Sequence, residues 1–216
     1  MVCGSPLVAS ADLLRRLVGE CDHVVAVDRG LDALLGARLS CDVYVGDADT
    51  VSEAGRALVD AAEDFEVERH DPYKDYTDLA LALDSVRRRW TGAEVVATCA
   101  TGGRPDMALS VLGLLAGYED APIWIVEDKV VARILHTGES WTIEDAEGKT
   151  FSIIAIAPNT DVSEQGLEWE LDHSPLGLLA DTGISNVVRS TAVIEVHTGT
   201  AIAYLLHQGS IRTVGE

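Results

Sequence analysis

The feature that most constrains this chain is a change of rhythm two-thirds of the way along it. Up to about residue 135, short β-branched runs alternate with longer stretches of helical periodicity; from about Ser140 onward only short alternating runs follow. The first pattern is that of a parallel sheet with crossover helices, because parallel strands need long connections. It predicts strands over Val24–Val27, Val43–Val45, Glu94–Thr98 and Ile123–Glu127, with Val130–Leu135 as one more. Helices are expected over Ala11–Gly19, Leu31–Leu35, Ser52–Ala62, Thr77–Trp90 and Pro105–Ala116. After the switch, the strand candidates are Trp141–Ile143, Phe151–Ala157, Leu167–Leu171, Ala192–His197 and Ala201–Leu206. Turn signals such as Glu147-Gly148 and Pro158-Asn159 separate them. The expected fold class is therefore α/β: a Rossmann-like parallel-sheet domain over residues 1–138, then a smaller all-β, sandwich-like domain over residues 139–216.

Composition narrows the classes of partner. Asp and Glu number 36 against 16 Lys and Arg, a formal net charge of -20, which argues against binding a nucleic-acid backbone. A nucleotide is not excluded, since a few placed cations, backbone N–H groups and a metal ion can hold a triphosphate in an acidic protein. No apolar run approaches the roughly 20 residues that span a bilayer, and no basic segment precedes a hydrophobic stretch at the N-terminus. The expected location is the cytoplasm, without a membrane partner. Cys3, Cys21, Cys41 and Cys99 lack metal-site spacing and are read as reduced structural residues.

In open parallel sheets the ligand site forms at the carboxyl ends of the strands, and the residues there are acidic. The first strand runs into Asp28-Arg29-Gly30 and the second into Gly46-Asp47-Ala48-Asp49-Thr50. If the extended path persists, Asp47 and Asp49 point the same way, an oxygen platform suited to Mg²⁺; the alternative is a polar turn that caps the next helix. Lys74-Asp75-Tyr76-Thr77-Asp78 precedes another helix, and its acids either stabilise the helix start or, beside Lys74, serve phosphate and metal. Thr101-Gly102-Gly103-Arg104-Pro105-Asp106 has the form of an anion site, with glycines that admit close backbone approach, a helix start and an Arg. It is neither a Walker A loop nor a GxGxxG fingerprint, which disfavours P-loop kinases and nicotinamide dehydrogenases. The six histidines form no HExxH pair and no GxSxG elbow occurs, so the histidines are read as surface or packing residues. Ser185 and Asn186, before a late β run, read by themselves as turn residues.

Taken in order, Asp28-x-Gly30, Gly46-Asp47-x-Asp49-Thr50, Lys74-Asp75-x-Thr77-Asp78, Gly102-Gly103-Arg104-x-Asp106 and Ser185-Asn186 resemble the motif series of the thiamine pyrophosphokinases over nearly the whole chain. The resemblance implies a homodimer that uses ATP and Mg²⁺ to convert thiamine into thiamine diphosphate, with AMP as the other product. It implies that Asp28, Asp47, Asp49 and Asp78 surround the metal, and that Asp47, Asp49 and Asp78 are catalytic. Gly30, Lys74, Asp75, Thr77, Gly102, Gly103, Arg104 and Asp106 would join Asp28 around the nucleotide and its phosphates. Ser185 and Asn186 would belong to the thiamine pocket at the dimer interface, with Tyr204 loosely matching an aromatic position against the pyrimidine; packing within a strand is the other reading of Tyr204. The chain departs from the family at Arg29, Ala48, Thr50, Met107 and Val187, while the acidic set is intact. Other expectations are a pyrophosphokinase acting on a pterin alcohol and a binding module for thiamine or nucleotide without catalysis.

Overall fold

The computed structural model describes residues 1–206; residues 207–216, the end of the expected second domain, lie outside the described residues. The chain divides into two compact units, Met1–Ala121 and Pro122–Glu216.

In the first unit the order is α1 (Ala11–Glu20), β1 (Val25–Val27), α2 (Gly30–Gly36), β2 (Val43–Gly46), α3 (Glu53–Asp60), β3 (Glu66–Arg69), α4 (Asp78–Arg89), β4 (Val95–Ala97) and α5 (Pro105–Ala116). β1, β2 and β3 form a parallel sheet in that order, with Val25 opposite Val43 and Val43 opposite Glu66. Val2 makes parallel bridges to both Ala26 and Thr98, so the first residues occupy a strand slot between β1 and the end of β4. All residues of β1 and β2 are buried, as expected for strands covered on both faces; α4 packs on both and α2 packs on β1. Helices α1, α3 and α4 start at side-chain caps. Ser10 accepts from Leu13 N at 3.2 Å, Ser52 from Gly55 N at 3.1 Å, and Thr77 from Ala80 N at 3.3 Å, satisfying otherwise orphaned amides. The last turn of α4 carries Arg87, Arg88 and Arg89, matching the negative pole of the helix.

The second unit is all β among the described residues: β5 (Ile123–Glu127), β6 (Val130–His136), β7 (Ser140–Ile143), β8 (Thr150–Ala155), β9 (Thr160–Leu167), β10 (Leu171–Leu176), β11 (Asn186–Thr198) and β12 (Thr200–Leu206). The strands follow the order β10-β9-β11-β8-β12-β6-β5, with β7 on β11. The long β11 joins two layers: Asn186 and Val187 pair with β8, while its later residues pair with β9 and β7. Trp141 of β7 meets Trp124 of β5 edge-on, with ring centroids 5.4 Å apart, and lies 6.5 Å from Phe151 of β8. These rings fill a sandwich-like core.

Two expectations change. The β5–β6 hairpin is antiparallel and β6 continues onto β12, which groups residues from Pro122 with the second compact unit. Leu167–Leu171 is not a strand; β9 ends at Leu167 and β10 begins at Leu171. The expected strand set also lacks β9 and β10 on either side of that segment, and β3, whose sequence Glu66-Val67-Glu68-Arg69 is charged. Among the described residues, no helix is long and apolar enough to cross a membrane.

Candidate active site

β1 and β2 are parallel neighbours, so their carboxyl ends emerge side by side, and the start of α4 joins them. One carboxylate oxygen each from Asp28, Asp47 and Asp78 lies within 4.8 Å of the other two. Asp28 follows β1 in the left-handed region, φ 45°, which Asp tolerates better than most residues; its amide still donates to Val45 O at 3.0 Å. Thr50 Oγ1 donates to Asp28 Oδ2, and the buried Tyr44 hydroxyl lies 3.5 Å from Asp28 Oδ1. Asp78 is the first residue of α4, where the helix dipole favours a carboxylate.

Lys74 holds the acidic group together. Its Nζ donates to Asp47 Oδ2 at 2.5 Å and lies 3.1 Å from Asp78 Oδ1. The second contact is an ion pair without hydrogen-bond alignment, which leaves Asp78 Oδ1 buried and unbonded. Burial pushes the Asp47 carboxyl up, but hydrogen bonds from Lys74 and Asp49 and the Lys74 charge outweigh it and hold the group below the usual range. Asp78 goes the other way: burial, with the charges of Asp47 and Asp28, raises it despite Lys74. Desolvation lowers Lys74, but its hydrogen bond to Asp47 and its ion pairing with Asp47 and Asp78 dominate and raise it. Three converging carboxylates suit a hard divalent cation, which takes oxygen ligands and leaves part of its shell for phosphate.

Asp49 behaves differently from its expected twin. Ala48 adopts φ 64° and ends the extended path, and Asp47 Oδ1 turns back to accept from Asp49 N at 3.1 Å. The two side chains therefore do not project in parallel: Asp49 is exposed and lies outside the three-carboxylate set. Partial desolvation and its hydrogen bond with Asp47 raise its pKa.

The acidic group opens on a cavity of about 520 Å³ in the first unit, lined among others by Ser5, Asp28, Lys74, Asp78, Gly102 and Arg104. That volume suits a nucleotide-sized ligand. Arg104 and Asp106, both exposed, form a two-bond pair at 3.1 and 2.5 Å, an easily exchanged contact. Thr77 also lines the cavity and caps α4, while Asp75 is exposed and outside the acidic set. Gly102 and Gly103, expected to admit a ligand, also pack against the N-terminal segment. A Cβ on Gly102, whose φ is 106°, would meet Leu7 at 2.5 Å, and one on Gly103 would meet Pro6 at 2.5 Å. Gly30 likewise packs beneath Val2, where a Cβ would lie 1.8 Å from the carbonyl oxygen. Sequence reasoning overlooked Tyr44 and the Cys3–Pro6 segment of the cavity wall; its Gly4-Ser5-Pro6 turn after a short apolar start was the available signal.

In the second unit, Asn186 is buried and saturated. Its Nδ2 donates to Trp169 O at 2.7 Å and to Glu164 Oε2 at 3.3 Å, while its Oδ1 accepts from Trp169 N and Val187 N. Ser185, exposed at φ 59°, donates its amide to Ser152 Oγ at 3.0 Å, and Tyr204 is the strand partner of Ser152. Burial pushes the Tyr204 hydroxyl up to about 12.

Comparison with known proteins agrees with the motif order. A family model described as thiamin pyrophosphokinase, catalytic domain, matches residues 14–126, and one described as thiamin pyrophosphokinase, vitamin B1 binding domain, matches residues 140–202. Thiamine pyrophosphokinase 1 of Arabidopsis thaliana is 26% identical over 173 residues, 72% of this chain and 61% of that protein. Thiamine pyrophosphokinase 2 of the same plant is 26% identical over 195 residues, 82% of this chain and 68% of that protein. Among solved structures, thiamin pyrophosphokinase from Geobacillus thermodenitrificans superposes with a TM-score of 0.78 at 27% identity, covering 95% of each chain. The enzyme from Candida albicans gives a TM-score of 0.80 at 13% identity, over 95% of this chain and 88% of that one, a likeness of fold alone.

Proposed function

The chain belongs to the thiamin pyrophosphokinase family, and from that premise we propose that it transfers a pyrophosphoryl group from ATP to the hydroxyl of thiamine, giving thiamine diphosphate and AMP. The observation that carries this reading is the meeting of Asp28, Asp47 and Asp78 around Lys74 beside a nucleotide-sized cavity. The match of residues 140–202 to a vitamin B1 binding domain favours thiamine over a pterin alcohol as acceptor.

Asp28, Asp47 and Asp78 would hold Mg²⁺, with Asp49 at the edge of the group. The ion, when bound, neutralises phosphate charge. The acceptor oxygen bonds to the β-phosphorus as the bridge to the α-phosphate breaks, AMP leaves with the bridging oxygen, and a carboxylate of the site takes the hydroxyl proton. Such transfer depends on positioning and charge more than on covalent catalysis, so this residue set is sufficient. Lys74 orients Asp47 and Asp78 and presents positive charge to the phosphates. Arg104 exchanges Asp106 for a phosphate oxygen, and the loop from Asp75 to Thr77 with Gly102 and Gly103 shapes the nucleotide cavity around Asp28 and Gly30. In the second unit, Ser185 and Tyr204 contact the acceptor, and Asn186 fixes the backbone that presents Ser185. The same reading makes the protein a cytoplasmic homodimer, and its net charge of -20 supports small-molecule rather than nucleic-acid partners.

The test supplies ATP and Mg²⁺ with thiamine or with a panel of pterin alcohols and follows AMP release. AMP formed with thiamine alone supports the assignment. Release only with a pterin alcohol changes the acceptor, and no release with any acceptor makes the chain a binding module.

A further inference from the structure

A second cluster of ligating side chains lies wholly within the β unit, on the neighbouring strands β9, β10 and β11. Strand alternation builds it: Val162, Ile194 and Val196 are fully buried, so Asp161, Ser163, Glu195 and His197 share the opposite faces of β9 and β11. Thr198 pairs with Asp161 and Glu195 with Ser163, which sets His197 beside the two β9 residues. β10 contributes through a register shift between Leu171 and Ser174, where His173 takes φ 41°. Such bulges re-aim a side chain, and here the imidazole is brought over its neighbour strands. His173 Nδ1 lies 3.3 Å from Asp161 Oδ1, and His197 Nε2 lies 2.7 Å from Ser163 Oγ. The two rings stack with centroids 3.9 Å apart at 22°. Ser163 Oγ also accepts from His173 N at 3.1 Å, and Glu195 stands 3.6 Å from His197 Nδ1. One ligand atom from each of Asp161, His173 and His197 falls within 4.8 Å of the other two.

We propose that Asp161, His173 and His197 form a binding site for a borderline divalent transition-metal ion, with Zn²⁺ the ion to test first. Two imidazole nitrogens and one carboxylate oxygen are a donor set for Zn²⁺, Ni²⁺ or Cu²⁺, whereas Mg²⁺ prefers oxygen alone. Stacked rings do not aim their lone pairs at one point, so binding requires a rotation of one imidazole. His173, whose side chain is 69% exposed, has the room to rotate. Ligation takes one His197 nitrogen, so of Ser163 on Nε2 and Glu195 by Nδ1 one gives way to the ion and the other stays as the outer partner that fixes ring orientation. Three protein ligands leave a coordination position for water or an external ligand. The ion would tie β10 to β9 and β11, stabilising the outer strand of the path.

Untagged full-length protein, stripped with chelator and dialysed, is titrated with ZnCl₂ against a chromophoric zinc indicator in millimolar MgCl₂. The expected result is one equivalent of zinc retained against the indicator, with a zinc-dependent rise in Tm. In His173→Ala/His197→Ala, affinity for that equivalent should fall by more than the roughly tenfold that loss of an outer partner alone costs, and the rise in Tm should vanish. If that variant fails to fold, Asp161→Asn, which conserves volume, should show the same weakening. Asp47→Asn should bind zinc as the parent does, separating this site from the aspartate group in the first unit. Equal uptake by parent and histidine variants, or no uptake by the parent, would overturn the proposal.

Discussion

Lys74 Nζ stands 2.5 Å from Asp47 Oδ2, and these two side chains are only 14% and 7% exposed. The same ammonium faces Asp78, so a single cation offsets two partly buried carboxylates. In Lys74→Met those carboxylates lose their counter-charge, and the protein should be destabilised by about 1–3 kcal/mol in chelator. Added Mg²⁺ should recover more Tm in the variant than in the parent, because ion binding replaces the missing charge. Thermal unfolding with and without Mg²⁺ checks both signs.

The turn at Ala48 separates the roles of its two neighbours. Asp47 lies within the three-carboxylate set and Asp49 outside it. Asp47→Asn should therefore lower kcat by about a hundredfold or more, and Asp49→Asn by about tenfold or less, the first loss being of the size found when a transition-state contact is removed. Steady-state AMP release gives the ratio; equal losses would put Asp49 on the same footing as Asp47.

Gly30 provides a purely steric test of how the site is positioned. A methyl group there would lie 1.8 Å from Val2 O, in the slot where Val2 joins β1 to the end of β4. Gly30→Ala should cost about 3 kcal/mol or more through overpacking, measured as a fall in urea midpoint, whereas Gly19→Ala, in helix α1 with nothing within 4 Å, should raise stability by up to about 1 kcal/mol.

Glu164 makes the β unit sensitive to pH. Burial pushes its carboxyl from the ordinary 4.5 up to about 7, with only Asn186 opposing, and Oε1 has no hydrogen-bond partner. The folded state holds this proton more tightly than the unfolded state. Its contribution is thus fully present below pH 4.5 and lost as pH rises through about 7. Glu164→Gln, neutral at every pH, should be more stable than the parent by about 1–3 kcal/mol near pH 8, with the gap closing near pH 5. Urea titrations at the two pH values test the sign.

The legible parts of the fold were those with local punctuation. Pro105 marks the start of α5, and Ile123–Val126 is a continuous apolar run closed by Glu127; both elements have the bounds their sequences predict. β3 was hidden because its stability comes from partners distant in sequence. Glu68 accepts from Ser85 Oγ at 2.6 Å and pairs with Arg88 and Arg89, and Arg89 also reaches Glu66. Leu167-Glu168-Trp169-Glu170-Leu171 alternates like a strand, yet Asn186 binds both the N–H and the carbonyl of Trp169 and holds that segment as a connection. In the site, strand ends flagged Asp28 and Asp47, but the left-handed turn at Ala48 was unreadable because alanine gives no signal for positive φ. The pairing of His173 with His197 depends on a bulge and on strand order, neither of which is encoded in local spacing.

The proposed reaction transfers two phosphoryl units in one step from ATP bound in the first unit. Its most direct measurement is the fate of ATP labelled at the β-phosphorus, incubated with the intact protein, Mg²⁺ and thiamine. Label is expected in thiamine diphosphate, with AMP in equal amount and both reduced about a hundredfold or more in Asp47→Asn. Label retained in ADP, with thiamine monophosphate as the product, would contradict it.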